Sequence, residues 1–316
     1  MDLEMMRKRA AIIRQARSFF DKKNYLELDT PLLQGDLIPE SCLEVFQTER
    51  LFPRGSRKES RSLWLIPSPE IQMKKIIARH RVNVYQICKC FRNGESEGHL
   101  HSSEFTMLEY YTMDADYMDS LALTEELFSG MAEKERYTPF ERITVSEAFK
   151  KYAEFDLFEA AAEGEGAMEK QARRLGLEPM RGMTIAQLYD LIFIHAVEPR
   201  LKCEKPAALI DYPAFVPCLA KKSHNGKTAE RWELYYNGIE LANCFSEETD
   251  PLKVKEFFLN EEAEKEKSAV VRHNVDHNYW KLFENFPKCS GVAIGVDRLI
   301  MALTGKSGID SVINAD

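Results

Sequence analysis

The chain has 316 residues, 44% apolar and 30% charged, with a formal net charge of −8. That length holds one large domain or two modest ones. The acidic balance speaks against a broad non-specific nucleic-acid surface, and no apolar run approaches the roughly 18 residues of a membrane span.

In chain order, residues 4–23 read as a helix, with Ile12, Ile13, Ala16, Phe19 and Phe20 on one face. Asn24 ends it, and Tyr25–Leu28 reads as a short strand stopped by Thr30-Pro31. Residues 50–61 read as a hairpin tip or loop and Trp64–Ile66 as a strand. Pro69 suits a helix first turn, with Ser68 as its cap, for a helix through about His80. Strands are expected over Val82–Phe91 and Phe105–Tyr111. Residues 116–200 carry helical patterns at about 118–135, 144–153, 166–176 and 184–197, a helical insertion. Strands resume at Ala208–Asp211 and Glu233–Ala242. A charged, solvated helix follows over 251–267, then a closing strand and helix. Strands that mostly follow one another, with helices inserted, predict an α+β fold on an antiparallel sheet rather than a doubly wound nucleotide fold.

The seven cysteines lack metal-ligand spacing, since Cys88-x-Cys90 has no second pair, and the charged N-terminus has no signal-peptide core. A cytoplasmic protein with reduced thiols is expected. His273 and His277 lack a third ligand and read as a surface pair. Gly305-Lys306-Ser307 looks like the end of a P-loop, but Ile300 stands where the upstream glycine is required. A nucleotide site must therefore be built from side chains on a sheet.

Three segments offer such chemistry. Arg92-Asn93-Gly94-Glu95 ends one strand and Glu104-Phe105 begins the next, so an arginine for phosphate and a ring for a base could share a hairpin. Glu233 and Glu240 are seven apart. A regular strand would set them on opposite faces, but a turn or bulge at Asn237-Gly238 would let both carboxylates reach one site and serve a hard cation. Gly291-Val-Ala293-Ile-Gly295-Val-Asp-Arg298 runs a glycine-punctuated strand into a helix that carries an arginine.

Taken together, these segments resemble the catalytic domain of the class II aminoacyl-tRNA synthetases, closest to lysyl-tRNA synthetase, from about Arg7 to Ala302. All three motifs of that class are matched. Ser68-Pro69-Glu70 and Gly238-Ile-Glu-Leu-Ala-Asn243 match the lysine-type subgroup. The first motif begins almost at residue 1, leaving no room for an N-terminal anticodon-binding domain. This short form resembles the bacterial elongation factor P–(R)-β-lysine ligase family, paralogues of lysyl-tRNA synthetase. A single catalytic domain over 1–316 is expected, with 116–200 inserted in it.

The resemblance implies a ligase that uses ATP and Mg²⁺ to activate a lysine-type amino acid, (R)-β-lysine, as an adenylate. It then transfers that amino acid to a lysine side chain of elongation factor P. A homodimer formed through residues 4–31 is implied, and no tRNA binding. Arg92 and Arg298 would stabilise the reacting phosphate, and Phe105 and Arg298 would sandwich the adenine. Asn93, Glu95, Ser102, Leu234 and Gly295 would complete the ATP site. Glu233 and Glu240 would hold Mg²⁺. Ser68, Pro69, Glu70, Glu104, Tyr111, Glu240, Asn243, Phe245, Glu247 and Ala293 would line the amino-acid pocket. Ala293 stands where lysyl-tRNA synthetases carry glycine, and its methyl would favour an amino group moved to the β carbon, an effect of about 1–3 kcal/mol.

Leu100, Ser102 and Cys244 depart from the family pattern, with Leu100 and Ser102 in the loop facing ATP. Cys244, in place of a glycine, would narrow the amino-acid pocket. The rival readings are a truncated lysyl-tRNA synthetase-like enzyme that charges tRNA and a non-catalytic synthetase-like regulatory module.

Overall fold

The computed structural model describes residues 1–53, 60–95, 98–131, 137–202 and 204–313. It forms two compact units, Met1–Ala115 with Glu247–Asp316, and Asp116–Ser246. Among the described residues the strands are, in chain order, β1 (Leu26–Glu27), β2 (Leu33–Gln34), β3 (Gln47–Leu51), β4 (Ser60–Leu65), β5 (Val84–Phe91), β6 (Glu104–Met113), β7 (Glu141–Thr144), β8 (Ala207–Pro213), β9 (Thr228–Tyr236), β10 (Ile239–Ser246) and β11 (Cys289–Gly295).

The first unit opens with the helix Leu3–Lys22. Asp2 caps it by accepting from Met5 N at 2.8 Å, and Glu4 and Lys22 match its dipole at either end. Met5, Ile12, Ala16 and Phe20 form its buried stripe. Asn24 turns the chain at φ 58° into β1. β1 runs parallel to β5, and β5, β6 and β11 pair antiparallel in that order.

The strand alternation then sorts the side chains. On one face Tyr85 and Tyr110 pack on Phe20, with ring centroids at 4.7 and 5.0 Å. Burying Phe20 completely is worth roughly 1.5–3 kcal/mol. The opposite face presents Phe105, Met107, Glu109 and Tyr111 of β6, with Gly291, Ala293 and Gly295 of β11 in register beside the last three. The helix thus covers one side of the sheet and leaves the other for chemistry.

A second sheet, β2-β4-β3, closes over Leu37, Val45, Trp64 and Ile66. Part of the expected 50–61 tip, residues 54–59, lies outside the described residues. The helix Glu70–His80 follows Pro67-Ser68-Pro69, with one correction. Pro69 occupies the N-cap, and no side chain caps the helix, because Ser68 stands one residue too early to reach its free N–H groups. The charged helix Pro251–Ser268 is solvated as expected over most of its length, with Val254 and Phe258 buried. Among its charged residues Lys265 is also buried, its ammonium on the carbonyls of Glu40 (2.9 Å) and Leu43 (2.5 Å).

In the second unit β8, β9 and β10 pair antiparallel and β7 lies parallel to β8. The β9–β10 turn is made by Asn237 (φ 52°) and Gly238 (φ 74°), two successive positive φ values that suit the right-handed twist of a tight hairpin. Helices Tyr117–Met131, Leu157–Glu163, Glu165–Arg174 and Ile185–Ile192 belong to this unit. The patterns read at 144–153 and 184–197 each begin as an α-helix and finish in a wider π-helical turn, Phe149–Ala153 and Phe193–Val197. Phe149, Tyr189 and Phe193 stack at 5.3 and 5.7 Å, so the widened turns accompany a column of flat rings.

Candidate active site

In the first unit, Glu70 and Lys74 lie one helical turn apart, so both side chains leave the same face of the Glu70–His80 helix. Lys74 Nζ is 2.6 Å from Glu70 Oε1 and 2.6 Å from Glu247 Oε2. Tyr111 donates to Glu109 Oε1 at 2.6 Å, and the Lys74 ammonium lies 5.9 Å from the Tyr111 ring centroid. Lys74, Glu109, Tyr111 and Glu247 are all 4% exposed or less.

Two carboxylates, Glu70 and Glu247, therefore share one ammonium, and a third, Glu109, is buried beside them on the Tyr111 hydroxyl. Burial, with Glu70 nearby, pushes the Glu109 carboxyl well up. Burial raises Glu247 to about 7, against the pull of Lys74. Burial alone would lower Lys74, but Glu247 and Glu70 outweigh it and hold the lysine charged. The cluster holds more carboxyl groups than its one cation can balance as carboxylates, and an arriving ammonium would favour their ionised forms.

Gly291 makes the cluster possible. A Cβ there would stand 2.5 Å from both Glu247 Oε1 and Tyr111 Cε1. Ala293 faces Glu109 directly across the strand pair, where side chains stand about 4.5–5.5 Å apart. Ser68 and Pro69 line a small cavity with Ile38, Leu37 and Ile66.

Arg92 leaves the end of β5 on the same face, its guanidinium 5.2 Å from the Phe105 ring centroid. Its Nε is buried without a hydrogen-bond partner, an orphaned donor that suits an anion. Arg298 sits in the first turn of the helix Val296–Thr304 and donates from Nε to the Leu100 carbonyl at 3.2 Å. His101, 2.9 Å from Glu95, lies against the same guanidinium. Asp297 anchors the helix start, holding Arg9 at 2.5 Å and the Thr106 N–H at 2.6 Å. Gly295 precedes it, and Ser102 is half-buried in the loop.

Two residues of this unit differ from expectation. Glu104 is exposed and ion-paired to Lys89 at 3.1 Å, on the opposite face of β6 from Tyr111 because the two are an odd number of residues apart. Glu109 occupies the place expected of a pocket carboxylate, and the Glu109-x-Tyr111 spacing was the signal for it. Asn93 spends its side chain on the backbone, donating to the Val45 carbonyl and accepting from Gly94 N.

In the second unit, the β9–β10 register sets Glu240 opposite Tyr235 and Asn243 opposite Glu233, with a bulge between Glu240 and Ala242. Glu233 and Glu240 thus share one face, so the turn at Asn237-Gly238 supplies what a regular strand forbids. Glu233 is saturated, however. Arg231 pairs with Oε1, while the hydroxyls of Tyr212 and Tyr235 donate to Oε2 at 2.5 and 2.6 Å. Arg231 also lies 4.4 Å from the Tyr212 ring centroid and 5.4 Å from that of Phe245.

Among the described residues no cluster of three His, Cys, Asp or Glu could hold a metal. With Glu233 neutralised by a buried guanidinium, this donor set does not fit Mg²⁺ as arranged. Leu234 is wholly buried on the other face of β9, which leaves only its backbone for a ribose. Cys244 likewise pairs with Trp232 on the face away from Asn243 and Phe245, so its side chain does not narrow the space those two border.

The sequence matches the family model described as tRNA synthetases class II (D, K and N) over residues 2–314. It is similar to a protein of Avibacterium paragallinarum named elongation factor P–(R)-β-lysine ligase, 33% identical over 98% of this chain and 94% of the relative. An Aquifex aeolicus protein named as a homolog of that ligase is 37% identical over 95% of each chain. A third relative with the ligase name, from Vibrio atlanticus, is 33% identical over 98% and 94%.

Proposed function

Because the chain belongs to the class II tRNA synthetase (D, K and N) family, we propose that it is an ATP-dependent ligase that activates a lysine-type amino acid, (R)-β-lysine, and joins it to a lysine of elongation factor P. The observation that carries this reading is the cluster in which Glu70 and Glu247 share Lys74, with the buried Glu109 held by Tyr111 beside them. A substrate ammonium would supply the missing charge and donate hydrogen bonds to these carboxylates. Arg92, with its orphaned Nε, would meet the α-phosphate as the amino-acid carboxylate attacks it, and Phe105 would stack on the base. Pyrophosphate leaves. A neutral lysine amine of the acceptor then attacks the adenylate carbonyl, the C–O bond to phosphate breaks, and AMP and a proton depart as the amide forms.

Mg²⁺ would arrive with the triphosphate, and no step here is routed through it. The assignments of Arg298 at the adenine, of Glu240, Asn243 and Phe245 to substrate and of Ser102, Glu95 and Gly295 to ATP rest on the family resemblance. A cytoplasmic homodimer belongs to the same reading, and the exposed Leu3, Met6, Leu26 and Leu33 of the first-motif region support pairing. Sedimentation at micromolar concentration tests that state.

The deciding experiment is ATP–pyrophosphate exchange followed by labelling. Exchange with (R)-β-lysine above that with L-lysine, and label appearing on elongation factor P, is the expected result. Label on tRNA alone would establish the tRNA-charging alternative. No exchange with any lysine-type amino acid would establish a non-catalytic module.

A further inference from the structure

Glu40 lies in the first unit on an irregular stretch that the structure fixes at both ends. Two residues before it, Ile38 lines the small cavity with Ser68 and Pro69. Four residues after it, Glu44 bridges to Asn93, whose N–H donates to the Glu44 carbonyl at 2.9 Å. The stretch that carries Glu40 thereby runs from the cavity beside Ser68 and Pro69 to the strand end that carries Arg92. The backbone around it is pinned as well. Lys265 holds the Glu40 carbonyl, and Glu261 accepts from Ser41 N at 2.8 Å.

The Glu40 carboxylate itself has no hydrogen bond or ion pair among the described residues. The nearest lysine, Lys265, directs its ammonium to two backbone carbonyls instead. Glu40 is half-buried, and that burial, reinforced by the charge of Glu70 and opposed by that of Arg92, raises its carboxyl. The charged groups it feels are Glu70, Arg92, Lys265 and Glu261. An unpaired carboxylate thus lies near an arginine whose Nε also lacks a partner.

An amino acid has that pair of needs. Its reacting carboxylate, and the phosphate formed on it, seek a cation, while an ammonium one or two carbons away seeks an anion. We propose that Glu40 binds the substrate ammonium nearest the reacting carboxylate, and so sets which position of that amino group the enzyme accepts. The inference rests on the amino-acid-activating function proposed above. The distal ammonium would then fall to the Glu109 and Glu247 cluster, so the two charges of a diamino acid would be read by separate carboxylates.

The test is ATP–pyrophosphate exchange by the wild type and Glu40→Gln with (R)-β-lysine, L-lysine and 6-aminohexanoic acid, which lacks the amino group near its carboxylate. Glu40→Gln should raise KM for the preferred diamino acid by about 10–100-fold, the scale of one charged hydrogen bond. KM for ATP and the poor use of 6-aminohexanoic acid should stay as in the wild type. Parallel losses with diamino acid and 6-aminohexanoic acid would overturn the proposal, because Glu40 would then only hold its neighbours in place. If Glu40→Gln fails to fold, Glu40→Asp decides: a KM rise confined to the diamino acid upholds the proposal, and an equal rise with 6-aminohexanoic acid overturns it. A wild type that exchanges with none of these acids overturns the proposed function itself, and the Glu40 assignment with it.

Discussion

Glu109 and Glu233 look alike locally. Each is a buried glutamate on an antiparallel strand, and each accepts from the hydroxyl of the tyrosine two residues on, at 2.6 Å. Their surroundings separate them. Glu233 also has Arg231 and a second tyrosine, Tyr212, so its charge and its lone pairs are satisfied from within its own unit. Glu109 has Glu70 and Glu247 for company and only Lys74 to balance the three. A satisfied buried carboxylate holds a fold together, whereas an unsatisfied one costs stability until something cationic arrives.

The largest effect should come from breaking the satisfied cluster. Arg231→Met leaves the buried Glu233 carboxylate with two tyrosine hydroxyls and no countercharge and should destabilise the protein by about 3–5 kcal/mol, read by chemical denaturation. Burial would lower the Arg231 pKa, but Glu233, Cys218, Tyr212 and Tyr189 together raise it, so the guanidinium stays charged beside Glu233. A loss below about 1 kcal/mol would mean that the two tyrosines suffice.

Glu109→Gln should do the reverse. It removes a carboxyl that the fold holds against ionisation until a cation arrives, so stability should hold or rise by about 1 kcal/mol, while KM for the lysine-type substrate should rise about 10–100-fold. A stable variant with undiminished activation would break the comparison.

The same cluster predicts the pH response. Glu247, raised to about 7, binds protons in the free protein that a cationic ligand must expel. The complex therefore holds fewer protons than the free form, and affinity should strengthen as pH rises from about 5 to 7 and level off above. Isothermal titration across that range checks the sign. Affinity that falls with rising pH would assign the site to a neutral or anionic ligand.

The difference between these clusters shows what could be read in advance. The helix of residues 3–22, the β5–β6 hairpin and the β9–β10 turn were legible because apolar spacing and Asn-Gly are local signals. Arg92, Phe105, Glu70 and Tyr111 were legible from motifs. The resemblance points to Glu104, whose odd offset from Tyr111 turns it to the other face, whereas period-two counting favours Glu109. Lys74 and Glu40 gave no sequence signal, since their neighbours Glu247 and Arg92 are far along the chain. The saturation of Glu233 was hidden too, because Tyr212 comes from another strand.

Two small residues in place of glycine give the finest test of the face argument. Ala293 stands opposite Glu109 in register, on the side that carries the unsatisfied cluster. Ala293→Gly should shift the ratio of L-lysine to (R)-β-lysine activation toward L-lysine by about 1 kcal/mol, the low end of what one methyl discriminates. Cys244 instead packs with Trp232, on the face away from Asn243 and Phe245. Cys244→Gly should leave that ratio within about twofold and cost about 1 kcal/mol of stability, because it only empties a buried strand position. Equal shifts in both variants would show that backbone flexibility, not the face a methyl occupies, governs selectivity.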